Sequence, residues 1–494
     1  MRIETKREID QYLQSIRSDD IDEEYLSLTG FADPGEQWVE SRGQILKDWK
    51  KARKGLGLTD DDVKYAVRQW IPQNFEVQLE GVRKVIGMMT AEIADMMKAN
   101  EKKENGEKLI YSVLPAHSNF FYAMKKTDPN INTYFVDANL ASFLNPFFHK
   151  ISPLLEFAES HGVTYGCRHC ALNKTRYALL RQGLIPLPDV SWIWGFVCDQ
   201  APKSDEFIKE YWNKNYNIIY SRIPHDTEGH VVEYKDEERV NYLAQVMRQG
   251  YEACCKELNV DVDENALKEA TKDRIQFIMS YGKLAQLMAS DPAPLGGTIT
   301  LFPTLPTFMA FNTQYSYVGS ALKALTEDAK ERVKKGEGVV PQGSPKAMAW
   351  FTPYNNPFIT RMFDDNDVAL AYCEGLLPAK CEFEMPKFTG AFEGASEALL
   401  KWSLLSNWGM RADLAVEKME TYGLDAMVWG FLDFDRWLGS DHKLCSRVVE
   451  KKTGKPSFYI EGDIWEDRDY SQESVRTRIE TICEVIKART EASA

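Results

Sequence analysis

The sequence predicts an α/β protein in which parallel sheets are flanked by helices, arranged as two such units with a helical region ahead of them and helical inserts. Two observations carry this. From Lys108 onward, short β-like runs alternate with amphipathic helical stretches, the pattern of strands joined by helical crossovers. At 494 residues the chain is also too long for one ordinary core, so two or three domains are expected. Hydrophobic residues at 44% and charged residues at 27% exclude a disordered or collagen-like chain.

The first hundred residues read as helices. Gly35 to Lys54 and Thr59 to Trp70 carry apolar residues at three- and four-residue spacing, with Thr59 ahead of Asp60-Asp61-Asp62 as an N-terminal cap. Gln78 to Ala99 is a longer amphipathic helix, and the charged run Lys98–Lys108 reads as a solvated turn or linker. Strands are then expected at Lys108–Pro115, Thr133–Val136, Gly162–Tyr165, Trp192–Val197 and Ile218–Ile223, with helices at Asn119–Lys126 and Asn173–Arg181. Glu237 to Ala289 is helical, and after the Pro/Gly-rich Asp291–Gly297 comes the charged helix Ser320–Lys335. The second unit begins near Ala347–Phe351 and continues through Ala426–Trp429 and Ser457–Ile460. Its helices are Ala391–Ser406, Arg411–Tyr422, Asp441–Lys451 and Ser471–Lys487. We divide the chain into an N-terminal helical region (1–106), a first α/β domain (107–235), a helical insert (236–340) and a second α/β domain (341–494).

A net charge of −14 disfavours nucleic acid or anionic lipid as the main partner, since both call for a positive surface. No run approaches the roughly 18–20 apolar residues of a membrane span. The charged start MRIETKREIDQYLQ has no apolar core of a signal peptide, so a cytoplasmic location is expected. Nine cysteines are then thiols, metal ligands or catalysts rather than disulfides. The aromatic share of 12%, with twelve tryptophans, suits either a thick core or the binding of a flat molecule.

In open α/β sheets ligands gather beyond the C-terminal ends of the strands. Cys167 and Cys170 form a CxxC just after one strand candidate, and Cys198 follows another. A lone cysteine is usually a small buried hydrophobe; a CxxC and a third thiol at a neighbouring strand end weaken that reading. A structural zinc site lacks its second CxxC or histidine pair. A dithiol of the thioredoxin kind, Cys167-Arg-His-Cys170, lacks the surrounding N-terminal strand-and-helix unit. Three thiolates with one weaker or open position fit an iron–sulfur cluster with a reactive iron. Cys254-Cys255, Cys373, Cys381 and Cys483 have no partners at useful spacing. The chain carries no P-loop, no GxGxxG and no Ser–His–Asp order. The loop after the first strand, Pro115-Ala-His-Ser-Asn119, offers His117 or Ser118 as a proton or hydrogen-bond donor to a substrate, against the ordinary alternative of a plain loop.

From about Lys108 onward the chain resembles the benzoyl-CoA reductase/2-hydroxyacyl-CoA dehydratase family, most closely its benzoyl-CoA reductase branch. The resemblance rests on Cys170-Ala-Leu-Asn-Lys-Thr-Arg176 running to Gly183-Leu-Ile-Pro-Leu-Pro-Asp189, and on Cys198 nine residues later. Gly338–Lys346, Lys452-Thr-Gly-Lys-Pro456, Ile460-Glu-Gly-Asp463 and Ser474–Arg478 follow in the family's order. It implies two flavodoxin-like domains with a [4Fe–4S] cluster between them, held by three cysteines. Cys170 and Cys198 match two of the positions, and the third, from the second domain, falls on Asp435. Either Asp435 is an oxygen ligand, or Cys167 replaces the missing thiolate; Cys445, ten residues on, reads as a helix residue. The resemblance further implies an acyl-CoA substrate, a homologous partner subunit and a separate ATP-dependent iron–sulfur activator. In the family one electron converts the thioester carbonyl to a ketyl-type radical anion, leading to ring reduction or loss of a 2-hydroxyl. Two other readings stand beside it: a double-cubane reductase of small molecules, and a non-catalytic partner or zinc-binding scaffold with a degenerate cluster site.

Overall fold

The structure is a computed structural model and describes residues 5–30, 41–113, 118–163, 169–194, 200–221, 231–297, 315–350, 356–373, 377–402, 405–431, 436–463, 465–468 and 470–493. Helical segments precede the first strand, among them α1 (Lys6–Ser15), α2 (Ile21–Leu28), α3 (Arg42–Gly55), α4 (Asp60–Tyr65), α5 (Glu80–Met96) and α6 (Ala99–Glu104). Thr59 closes α4 with a capping box, its side chain taking the Asp62 amide while the Asp62 carboxylate takes the Thr59 amide.

The charged run after α5 is a correction to the expected solvated linker. It forms α6, and Lys102 is held by Asp95 at 2.6 Å, Asn132 Oδ1 at 2.9 Å and Tyr134 Oη at 3.0 Å. Those partners come from α5 and from the second strand, so the lysine fastens the N-terminal helices to the first sheet. Lys98 bonds Asp48 at 2.8 Å and Lys103 bonds the Leu187 carbonyl at 2.5 Å.

The first sheet contains β1 (Lys108–Tyr111), β2 (Ile131–Tyr134), β3 (Val190–Trp194) and β4 (Ile218–Ser221), all parallel, in the order β2-β1-β3-β4. Between them run α7 (Ser118–Thr127), α8 (Val136–Phe143), α9 (Ser152–Ser160), α10 (Ala171–Arg181) and α11 (Gln200–Phe207). Gly162 and Val163 do not start a strand: Gly162, at φ +97°, and Val163 cap the end of α9, and 164–165 lie outside the described residues. Two long helices follow, α12 (Glu237–Leu258) and α13 (Glu264–Met288), then α14 (Tyr315–Lys335).

The second sheet repeats the first. β5 (Lys346–Trp350), β6 (Ala369–Cys373), β7 (Ala426–Phe431) and β8 (Ser457–Glu461) are parallel in the order β6-β5-β7-β8. Its helices are α15 (Pro357–Asp365), α16 (Ala391–Leu400), α17 (Trp408–Thr421), α18 (Arg436–Thr453) and α19 (Gln472–Ser493). Both orders are the 2-1-3-4 of flavodoxin-like sheets, whose direction reverses between the first and third strands.

Two further details recur. Asp189, ahead of β3, accepts the Leu109 amide at 2.7 Å and returns its own amide to the Leu109 carbonyl. Asp425, ahead of β7, does the same to Lys346 at 2.9 Å. The helix before the third strand also carries a buried arginine paired with an aspartate on the helix after it: Arg176 with Asp205 at 2.7 Å, and Arg411 with Asp441 at 3.2 Å. Shared strand order, clamp and ion pair support descent of the two units from one duplicated unit. One continuous apolar cluster joins side chains of the N-terminal helices and both sheets. Among the described residues no helix is long and apolar enough to cross a membrane.

Candidate functional site

The C-terminal ends of the two sheets are tied together by side chains. The segment after β8 reaches across to α10, where the Ala171 amide donates to Asp463 Oδ2 at 2.8 Å and Asp463 Oδ1 accepts the Trp465 amide at 2.8 Å. Free amides at a helix start favour such an anion. Arg468 then makes a two-pronged bond to Glu159, at 2.8 and 3.0 Å, and Lys174 joins the same carboxylate at 2.8 Å. Glu466 pairs with Arg468 and lies 3.9 Å from Lys174. Asn145 donates to Asn356 Oδ1 at 2.6 Å, and Asn356 donates to the Glu466 carbonyl at 2.9 Å. Asp463 and residues 465–468 thus form a strap from the second sheet across the first turn of α10.

Cys170 is the residue under that strap. It caps α10 in extended conformation (φ −66°, ψ 159°) and is 9% exposed. Burial pushes its thiol pKa well up, Asp463 and Asp137 add to the shift, and the first-turn amides of Asn173 and Leu172 oppose it. Arg176, 0% exposed, carries the compensating charge; it bonds Asp205 at 2.7 Å and Asn173 Oδ1 at 3.1 Å, lies 3.7 Å from Asp137, and senses the Cys170 sulfur. Tyr216 Oη donates to the other oxygen of Asp205 at 2.6 Å.

The buried Cys170 thiol and the adjacent His169 Nδ1, which has no hydrogen-bond partner, are donors of the kind that hold a bound inorganic group. Asn139 and Ser142 on α8, and Thr175 on α10, are buried with polar atoms that no neighbour satisfies, as is Nδ1 of His169. Burial, then Lys174 and Lys203, holds the His169 imidazole below its usual pKa and so neutral. A buried thiol with a raised pKa ionises when a metal takes the place of its proton. Among the described residues no three His, Cys, Asp or Glu side chains converge as a metal site. The other expected donors, Cys167, Cys198 and Asp435, lie outside the described residues, as does His117. In sequence Cys198 falls between the end of β3 and the start of α11, and Asp435 directly precedes α18.

Cys445 is a packing residue of α18, buried with its thiol donating to the Trp408 carbonyl at 3.1 Å. Cys254, Cys255, Cys381 and Cys483 are buried, and burial pushes each thiol up, which makes them poor nucleophiles. At the place in the second unit that Cys170 holds in the first stands Asn407, an ordinary cap that accepts the Met410 amide at 2.9 Å. Below it Arg411 lies 5.2 Å from the Trp350 ring centroid, and Trp350 donates to His442 Nε2 while His442 Nδ1 bonds the Gly430 carbonyl at 2.5 Å. Burial drives the His442 pKa down to about 3, so this ring is neutral.

Ser118 is the described member of the expected donor pair. It opens α7, is buried, and accepts a hydrogen bond from Arg274 Nη1 at 3.2 Å. Arg274, on α13, had no signal in the sequence, being one arginine on an amphipathic helix. Asp463 lay inside a family-like run, but nothing there showed that it would reach Ala171.

Residues 148–486 match the family described as 2-hydroxyglutaryl-CoA dehydratase, D-component. The chain belongs to this family. The match takes in Cys170, Asp463 and the whole second sheet and leaves the N-terminal helices outside. Among curated relatives, the alpha chain of the (R)-phenyllactyl-CoA dehydratase of Clostridium sporogenes is 25% identical over 326 residues, covering 62% of this chain and 73% of that protein. A benzoyl-CoA reductase subunit of Thauera aromatica is 20% identical over 411 residues, covering 78% of this chain and 90% of that protein. The relatives thus include both a dehydratase and a reductase, each named as one subunit of its enzyme.

Proposed function

We propose that this chain is the iron–sulfur subunit of a radical enzyme that acts on acyl-CoA thioesters, by ring reduction of the benzoyl-CoA type or by dehydration of a 2-hydroxyacyl-CoA. The observation that carries the reading is Cys170: a buried thiol at a helix start, beside buried Arg176, where the second sheet's strap crosses the C-terminal edge of the first. Family membership and the two relatives' names support the substrate class. Cys170 and Cys198 would hold a [4Fe–4S] cluster, with Asp435 or Cys167 as the third protein donor. When bound, such a cluster supplies single-electron transfer to the substrate. Arg176 offsets the negative charge that thiolates bring into a buried place. The Asp463, Lys174 and Arg468 network holds the two edges at a fixed separation and shields the site from water. Charging the cluster falls to a separate ATP-dependent activator, and the homologous partner subunit completes the assembly.

The test is turnover. The chain, co-purified anaerobically with its partner subunit, is supplied with its activator, ATP and titanium(III) citrate as reductant, and offered benzoyl-CoA and (R)-phenyllactyl-CoA. Mass spectrometry then reads the thioester products. Gain of two hydrogens marks the reductase and loss of water the dehydratase. A preparation that holds zinc or no metal, and leaves both thioesters intact, overturns the proposal.

A further inference from the structure

Asp463, which opens the strap, is held more closely than fastening two edges requires. β8 ends at Glu461, and Gly462 follows at φ +142°, where a Cβ would lie 2.5 Å from the Tyr470 ring. Asp463 Oδ1 accepts the Trp465 amide two residues on, at 2.8 Å, a turn that fixes the carboxylate against its own backbone. Oδ2 accepts the Ala171 amide at 2.8 Å, and that nitrogen is bonded to the carbonyl carbon of Cys170. Asp463 is 2% exposed. Its charge is therefore fixed, shielded from water and set against the peptide unit of Cys170.

Holding a helix-start amide does not by itself call for a buried charge. Ser41 at α3 and Asn407 at α17 do it with neutral side chains. A carboxylate here is costly to bury, so its charge asks for a reason of its own. The cations around it serve other acids. Lys174 and Arg468 both bond Glu159, and Arg468 also pairs with Glu466. Arg176 bonds Asp205 at 2.7 Å and lies 3.7 Å from Asp137. Whatever Asp463 shares with its neighbours, neutralising it changes the net charge at this edge by one unit.

We propose that Asp463 lowers the reduction potential of the iron–sulfur site at Cys170, by its fixed negative charge and by withholding the Ala171 amide from the sulfurs. The inference rests on the iron–sulfur reading and adds the residue that makes that site strongly reducing. Net charge and hydrogen bonds to the sulfurs are both levers on such a potential, and here they act in one direction. Uptake of one electron from the activator adds one negative charge and breaks no bond, so a carboxylate fixed alongside opposes it. An amide donated to sulfur would favour it, and Asp463 occupies that amide. Passing the electron on to a thioester carbonyl calls for a donor of low potential, which both levers provide.

The experiment is a redox titration of the anaerobic holoenzyme with its partner subunit, followed through the paramagnetic signal that Cys170→Ala removes. Asp463→Asn keeps an acceptor for the Ala171 amide and loses the charge. It should move the reduction equilibrium about tenfold toward the reduced form, a midpoint higher by about 59 mV for one electron. Asp463→Glu keeps the charge and should stay closer to wild type, whereas loosening of the strap alone would move both variants alike. Asp463→Ser supplies a second neutral variant if Asp463→Asn loses its iron. An unchanged midpoint in the neutral variants, an equal rise in Asp463→Glu, or loss of iron from both neutral variants overturns the inference. Wild-type protein that carries no iron overturns the iron–sulfur reading instead.

Discussion

Replacing Arg176 by Met removes the cation that holds Asp137 and Asp205, which are both fully buried, and its cost should depend on pH. Arg176 is bonded to Asp205 at 2.7 Å and to Asn173 at 3.1 Å, and lies 3.7 Å from Asp137. Breaking a buried pair by deleting one partner costs about 3–5 kcal/mol, because the other charge stays buried. In the wild type burial already pushes the Asp137 carboxyl up to about 6 and raises Asp205, while Arg176 pulls both down. Without the cation both rise further. A carboxyl whose folded pKa exceeds its unfolded value loses stability as pH rises through that window, since the unfolded chain has released a proton that the folded one keeps. The variant should therefore lose roughly 4 kcal/mol at pH 8 and about half of that at pH 5, where the orphaned acids are protonated. Anaerobic urea titrations at the two pH values, read by fluorescence of a chain whose Trp192 is buried in β3 nearby, supply both numbers. Equal losses at pH 5 and pH 8, or a loss under about 1 kcal/mol at both, would refute the electrostatic reasoning.

Three other outcomes follow from the same structure. Burial pushes the Asp364 carboxyl up to about 8 even though the Gly297 amide donates to it at 2.6 Å, so it weakens the fold as pH rises from its ordinary value toward 8; Asp364→Asn should flatten the urea midpoint across that range. His442, held near 3 by burial, contributes stability that is complete above the ordinary histidine pKa and disappears as pH falls toward 3; His442→Leu should be less sensitive to acid in circular-dichroism titrations, though less stable at pH 7. Arg468→Ala removes the two-pronged bond to Glu159 and the pairing with Glu466, at a cost of about 1–2 kcal/mol for a partly buried group. Hydrogen exchange should then quicken together in residues 465–468 and in the first turn of α10, whereas quickening in only one of them would separate strap from helix.

The regular elements were largely legible in the sequence, because amphipathic period and buried apolar runs are local signals. Helices α7, α10 and α12–α14 and most strands appear where apolar spacing put them, with ends displaced by a few residues. β6 was missed, since Ala369–Cys373 is a five-residue apolar run directly after the charged Asp364–Asp367. Lys98–Lys108 was misjudged for the opposite reason: its charges looked solvated, but the partners of Lys102 come from Asp95, Asn132 and Tyr134, which only folding brings near. Cys170 stood out through its place in a family-like motif. Arg274 did not, because an arginine that bonds Ser118 and lies over Trp402 is defined by tertiary contacts rather than by spacing.

The central claim is that Cys170 anchors an iron–sulfur cluster. Iron and acid-labile sulfide should be counted in anaerobically purified wild type and Cys170→Ala, with paramagnetic resonance of the reduced samples. About four irons per wild-type chain are expected, and loss of most of that iron, with the spectrum, in the variant. Wild-type protein without iron, or a Cys170→Ala variant whose iron and spectrum match the wild type, would contradict it.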